Sequence, residues 1–418
     1  MKEIEGYDVK IYTNNIESSA IEQIQQLLSI DVFSDKKIRI MPDVHAGAGC
    51  VIGFTGDLGD KVIPNIVGVD IGCGMRVAKL GNMPEIDYHK FNEHILANVP
   101  SGMIVREEKF GFPQLVGDEM EIYREAKQLV LQLHCYRELK DSGRIYKSIG
   151  TLGGGNHFIE LDKDNDGNMY VVVHTGSRNL GKQVADIYQS LAIRHLTEGA
   201  DELEEKIRQT IDEYKAAGRR RELQSVLGKM RNDYKAKEPS LPAGLCYIDG
   251  EMRDNYLHDM RLCQRWAVLN RKLIILLLLK FFPGITVEEE FESVHNYISD
   301  DNMIRKGAIS SMNGERCIIP LNMRDGSLLC TGKGNPDWNF SAPHGAGRIL
   351  SRTQAYSSIS MSDFQASMNG IYSESVNEFT IDESPMVYKP ADEIISNIGD
   401  TVTIDSIIRP VFNFKASK

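Results

Sequence analysis

The stretch that decides the fold runs from Lys61 to Leu80, KVIPNIVGVDIGCGMRVAKL. β-Branched residues flank a Gly-x-Gly turn there, which predicts strand-forming pieces joined where the backbone must bend tightly. Upstream, KKIRIMPDVHAGAGCVIGF (36–54) passes in the same way from an alternating apolar run into small residues. Downstream, YVVVHTG (170–176) is a short continuous β-branched run, the mark of a buried strand, and it carries His174 at its end. GKQVADIYQSLAIRHL (181–196) has helical period, and further helices are expected over Glu119–Glu138 and Met252–Leu279. Beyond Val287 short strands and glycine turns return as far as Pro343; a helix is expected to begin near Gly347, and IIRPVFNF (407–414) reads as a strand. Asp201–Lys237 is highly charged with few breakers and predicts a helical hairpin or extension with solvated faces. No repeat, low-complexity tract or linker interrupts the pattern. The expected architecture is α+β, one continuous domain over residues 1–418 with a charged helical surface region at about 201–237.

At 42% hydrophobic and 26% charged, the 418 residues exclude a disordered or fibrous chain and suffice to bury a core without disulfide staples. Seven scattered cysteines, Cys50, Cys73, Cys135, Cys246, Cys263, Cys317 and Cys330, show no framework spacing and point to a reducing compartment. The opening residues lack a signal-peptide pattern, and the most apolar run, within Leu273–Phe282, is too short to span a bilayer. A cytoplasmic location is expected. The net charge of −11 argues against a nucleic-acid partner taken as a sum, but a sum does not reveal a local basic groove. Arg76, Arg178, Arg348 and Arg352 all sit beside the motifs that follow.

Five histidines lie at strand ends or in glycine-rich loops: His45, His157, His174, His295 and His344. Each alone reads equally as a hydrogen-bonded turn or core residue; five in like settings point to a site. Asp70 and Cys73, three apart across a glycine turn, add a carboxylate and a thiol, and imidazole, carboxylate and thiolate together suit a divalent transition metal. A small buried hydrophobe is the other reading of Cys73. TLGGGNHFIE (151–160) leaves backbone N–H groups uncovered for a phosphate or nucleotide, or is a structural turn. CTGKGNP (330–336) lacks P-loop spacing. HTGSRNLG (174–181) puts Ser177 and Arg178 before a helix start, a setting for an anion. In SAPHGAGRILSRT (341–353), His344 is a candidate nucleophile, since neutral imidazole can attack phosphorus and form a phosphoramidate. A further metal ligand or a turn residue fits the same spacing.

Taken in order, MPDVHAGAGCVIG (41–53), VGVDIGCGM (67–75), GGGNHFIE (153–160), HTGSRNLG, HNY (295–297), NMRDGS (322–327), GKGNP (332–336) and SAPHGAGRILSRT resemble the RtcB family of RNA-splicing ligases, over about Met41 to Lys415. The resemblance implies an α+β fold around a deep cleft with two manganese ions. Asp70, Cys73, His157, His174 and His295 match the family's metal ligands, with Cys73 bridging both ions. His344 matches the histidine that receives GMP from GTP. Nucleotide contacts carry over to Asn156, His157, Phe158, Ile159, Glu160, His295, Asn296, Pro320, Leu321, Asn322, Met323, Ser327, His344, Gly345, Ala346, Gly347 and Lys415. Of these, Glu160, Ser327 and Lys415 are the expected readers of guanine.

The implied reaction begins with attack of His344 on the α-phosphorus of GTP. GMP then passes to an RNA 3′-phosphate, and a 5′-hydroxyl end attacks to form the phosphodiester and release GMP. A 2′,3′-cyclic phosphate is opened first in the same site. Arg178 and Arg348 are candidates for gripping phosphate, and Asp43 and His45 for supporting the cleft. Leu321 replaces a glycine and Ala48 a lysine common in relatives, and the charged region looks longer than in compact ones. Transfer-RNA splicing and RNA repair both fit, with or without an activating protein. The competing readings are a metal-dependent phosphodiesterase on cyclic phosphate ends and an RNA-binding relative without turnover.

Overall fold

Strand-forming segments that lie far apart in the chain are drawn together into two large sheets in the computed structural model, which describes residues 1–107, 115–197, 200–234 and 239–416. One sheet has six strands, in the order Lys2–Glu3, Val9–Ile11, Ile38–His45, Ile52–Asp57, Met303–Lys306 and Asn296–Ile298. The other has seven: Glu289–Val294, Gly74–Asn82, Asn168–Thr175, Phe158–Lys163, Val402–Lys415, Gly326–Gly332 and Arg316–Asn322. All neighbours in this second sheet are antiparallel. Its register matters for function. Met75 lies opposite His174, His174 opposite Phe158, and Phe158 opposite Lys415. The Gly-x-Gly turn, the end of the β-branched run and the triple-glycine loop therefore meet at one end of the sheet.

Behind that end lies a helix of 30 residues, Gly250–Leu279. Its apolar run is fully used: Leu273, Ile274, Ile275, Leu277 and Leu278 are all buried in a core cluster that extends from Val9 to Phe414. Each such side chain contributes roughly 1.5–3 kcal/mol by leaving water. Among the described residues no helix is long and apolar enough to cross a membrane.

Two consecutive polar residues of this helix are as buried as the leucines, both at 0% exposure. Asn270 accepts from the backbone N–H groups of Gly150 and Thr151 at 2.7 and 3.2 Å, and its amide donates to the carbonyls of Thr151 and Gly176. Arg271 donates to the carbonyls of Gly72 and Thr175, both at 2.8 Å, and pairs with Glu292 at 3.2 Å. Buried loop backbone must find partners, and one helix turn supplies them to three site segments at once.

The structure corrects the expected boundaries in two places. The helix expected from Gly347 starts at Arg352, where Ser351 and Gln354 form a capping box. Gly347 itself has φ +76° and its backbone packs against the Asp43 carbonyl, leaving no room for a Cβ. The helix expected to Glu138 stops at Leu131, because the N–H groups of His134 and Cys135 turn away to the Asp259 carboxylate, at 2.8 and 3.0 Å. The charged region forms two packed helices, Ala200–Ala216 and Arg220–Tyr234; the rest of that expected stretch, 235–237, lies outside the described residues.

Candidate active site

Asp70, Cys73, His157, His174 and His295 come from four separate segments, and they converge. Cys73 Sγ lies 3.5 Å from His157 Nε2 and 3.4 Å from His174 Nε2. Asp70 Oδ2 is 3.1 Å from His157 Nε2, and the Nε2 atoms of His174 and His295 are 3.2 Å apart. Two groups of potential ligand atoms result, Asp70–Cys73–His157 and Cys73–His174–His295, with Cys73 shared between them.

The donor chemistry fits a cation. His157 Nδ1 faces the Leu152 carbonyl at 3.0 Å and His174 Nδ1 the Asn156 carbonyl at 3.2 Å. Those contacts require N–H at Nδ1, which leaves both Nε2 atoms with lone pairs turned toward a carboxylate and a sulfur. With Cys73 as thiolate, acceptors face acceptors at 3.1–3.5 Å and repel one another unless positive charge lies among them. Asp70 Oδ1, buried without a partner, is a further free acceptor. Burial, together with the neighbouring imidazoles, keeps His174 and His295 well below the usual histidine range, so both remain neutral and able to ligate. Burial and Asp70 push the Cys73 thiol well up, and a bound cation would reverse that by stabilising thiolate.

His344 stands beside this cluster, its ring centroid 4.7 Å from that of His295. Its Nδ1 donates to Asp43 Oδ2 at 2.7 Å, and the same oxygen accepts from its backbone N–H at 3.2 Å. Asp43 has no solvent exposure, so the ring is held by a buried carboxylate at the end of the Ile38–His45 strand. With the proton on Nδ1, Nε2 carries the free lone pair. His45 does not touch His344 directly; its Nδ1 bonds the Asp43 carbonyl at 3.0 Å.

Both histidines line a cleft of about 540 Å³. Most of the residues expected to contact nucleotide line it too: Asn156, Phe158, Glu160, Asn296, Pro320, Leu321, Asn322, Met323, Gly345, Ala346, Gly347 and Lys415. His157 lies below the cleft among the cluster. Ile159 does not reach it and belongs to the main core. Ser327 lies buried opposite Pro320 in the neighbouring strand pair, its hydroxyl unpartnered. Burial lifts the Glu160 carboxyl to about 7, against the pull of the Asn413 amide at 2.6 Å and of Lys415.

The arginines divide. Arg76 is bound by Glu290 and Glu292 on the sheet and is no part of the cleft. Arg178 has φ +58° and turns inward beneath Gly153, donating to Thr151 Oγ1 and the Gly102 carbonyl at 3.3 and 3.1 Å. Arg348 and Arg352 do line the cleft, each engaged with Glu383. Ala48 is itself exposed, but its carbonyl, with those of Cys50 and Asn65, accepts from the buried ammonium of Lys306. Sequence reasoning missed Glu383, Tyr388, Asn270 and Arg271. The acidic and aromatic residues of DESPMVYKP (382–390) were the available signal, but nothing in their spacing points to the cleft.

Fold and donor set together define an enzyme site consistent with metal use. Comparison with known proteins makes this specific: residues 23–416 match the family model described as tRNA-splicing ligase RtcB, and the chain belongs to that family. It is 28% identical to the RNA-splicing ligase RtcB of Escherichia coli strain K12, over 97% of each chain. It is 25% identical to the tRNA-splicing ligase RtcB of Aeropyrum pernix, over 89% of this chain and 86% of that one. The tRNA-splicing ligase RtcB of Nanoarchaeum equitans is 26% identical, over 86% and 83%.

Proposed function

We propose that this chain is a GTP-dependent RNA ligase of the cytoplasm, joining 3′-phosphate or 2′,3′-cyclic phosphate ends to 5′-hydroxyl ends through guanylylated His344. The observation that carries the reading is His344 itself, held by a buried carboxylate with Nε2 free and seated 4.7 Å from His295 of the metal cluster. Asp43 acts as the positioning group. It fixes the tautomer and offsets the positive charge that develops on the ring as Nε2 bonds to phosphorus and pyrophosphate leaves. Asp70, Cys73, His157, His174 and His295 would hold two manganese ions, which would offset charge on the phosphates. Glu160, Ser327 and Lys415 read the guanine: a carboxylate accepts from its N1–H and amino group, and an ammonium donates to its carbonyl oxygen. The second and third steps transfer GMP to the RNA 3′-phosphate and expel it by the 5′-hydroxyl, so His344 is regenerated.

α-Labelled GTP with Mn²⁺ tests the reading. Acid-labile label is expected on the unaltered chain and none on His344→Ala. An unlabelled parent chain, or label that survives in His344→Ala, overturns the assignment. A phosphodiesterase that never ligates would open cyclic phosphate ends without GTP and leave both proteins unlabelled.

A further inference from the structure

Glu383 lies at the end of a short 3-10 helix, Glu378–Glu383, with 2% of its surface exposed. Four donors from three segments, two of them distant in the chain, meet on its one carboxylate. Oε2 accepts from Tyr388 Oη at 2.7 Å and Lys415 Nζ at 3.2 Å. Oε1 faces Arg352 at 3.1 Å and Arg348 at 3.4 Å. Burial by itself would raise this carboxyl, but Lys415 and Arg352, with Tyr388 and Arg348, outweigh it and hold the group below the usual carboxylate range. Glu383, Tyr388, Arg348, Arg352 and Lys415 all line the cleft.

Resting on the guanylate-transfer reading above, we propose that Glu383 is a positioning residue that sets the enzyme's choice of base by fixing Lys415 in the cleft wall. Lys415 has a flexible four-carbon stem, and a free ammonium would sample many rotamers and accept any hydrogen-bond acceptor. Here its Nζ is tied to Glu383, approaches the Asn156 carbonyl at 3.4 Å and sits 5.4 Å from the centre of the Phe158 ring. Those contacts pre-set the direction in which a remaining N–H can be offered, and preorganisation is what makes one hydrogen bond discriminate. Lys415 also lies on the strand next to Glu160, since Lys415 pairs with Phe158 and Asn413 with Glu160. A donor and an acceptor are thus presented side by side, a pattern that matches guanine and mismatches adenine. Lys415, Arg348 and Arg352 form ion pairs with Asp382 and Glu383, and Glu160 lies within the field of Lys415.

Replacing Glu383 by Gln keeps the shape and a partner for Tyr388 while removing the charge that fixes Lys415. Its two consequences separate. Fixation of the base is lost, so the KM for GTP in self-guanylylation rises about tenfold and the preference for GTP over ATP falls by at least that factor. Positive charge on the wall increases, so affinity for inorganic triphosphate is kept or strengthened. Lys415→Ala gives the same loss of preference, and Glu383→Gln combined with Lys415→Ala is no worse than Lys415→Ala alone, because both act through one contact. Equal loss for GTP, ATP and triphosphate would mean a general structural role and overturn the proposal. So would an unchanged preference in Glu383→Gln, or additive effects in the double variant. If the parent chain takes no label from GTP, the underlying guanylate reading fails instead, which is a distinct outcome.

Discussion

The two sides of the cleft are held by different forces. On the metal-cluster side the imidazoles lean on backbone carbonyls, and the loops beneath them are pinned by the neutral amide of Asn270 and by Arg271. On the opposite wall side chains hold one another by charge, with Glu383 and Asp382 gathering Arg348, Arg352 and Lys415. The first arrangement rests mainly on hydrogen bonds to backbone; the second can be tuned one charge at a time. A ligand set needs fixed distances to hold an ion, whereas a base-reading wall needs a pattern of donors and acceptors. The forces on each side would suit the task proposed for it.

The contrast can be broken most severely at Cys73. It belongs to both ligand groups, so Cys73→Ala should abolish stabilisation by Mn²⁺ and reduce ligation below detection. A Mn²⁺ titration followed by thermal melting checks this; an undiminished rise in Tm would remove Cys73 from the site. Next in size is Arg271→Met. It strands two buried carbonyls and Glu292, at a cost on the order of 3 kcal/mol. Denaturant unfolding should show that loss together with weaker Mn²⁺ binding, and a variant as stable as the parent would show that the helix does not clamp the cluster.

The smallest effect sharpens the comparison by sign. His174 and His295 are held below their unfolded value of 6.5, so in the metal-free protein their contribution to stability is present above that pH and lost as pH falls. Glu160 is held at about 7 against an unfolded 4.5, so it contributes below 4.5 and that contribution is lost as pH rises through 7. The two sides therefore oppose each other between about pH 4.5 and 6.5. Glu160→Gln should leave stability rising more steeply with pH across that window. Unfolding midpoints at several pH values decide it; an unchanged slope would mean that Glu160 is not perturbed.

Much of the metal side was legible in the sequence, because each piece is local. Asp70 and Cys73 share one turn, and His157 and His174 end strands whose β-branched or glycine-rich character is plain. The candidate nucleophile was legible for the same reason, and Asp43, expected to support the cleft, bonds the His344 ring. The opposite wall was legible only in part: Arg348 and Arg352 sit in a motif and the resemblance names Lys415, but Glu383 was missed. Glu383 and Lys415 carry no spacing signal, since it is the docking of the last strand beside Phe158–Lys163 that brings Lys415 to the cleft. Asn270 and Arg271 were not legible, because in a helix that also carries Arg265 and Lys272 nothing marks these two polar residues as the buried ones. The inward turn of Arg178 follows from a positive φ that no pattern in HTGSRNLG announces.

The pairing of Val402–Lys415 with Phe158–Lys163 on one side and Gly326–Gly332 on the other has a consequence for how the molecule comes into being. On the Phe158–Lys163 side it joins segments more than half the chain apart, and loop closure over such a span must precede any contact that rewards it, which favours late docking of this strand. A partly folded molecule could gather its imidazoles and thiol before it has the wall that carries Lys415. Such a species would trap a cation without being able to select a nucleotide. Competence would therefore arrive in a single late event, not accumulate as the chain condenses.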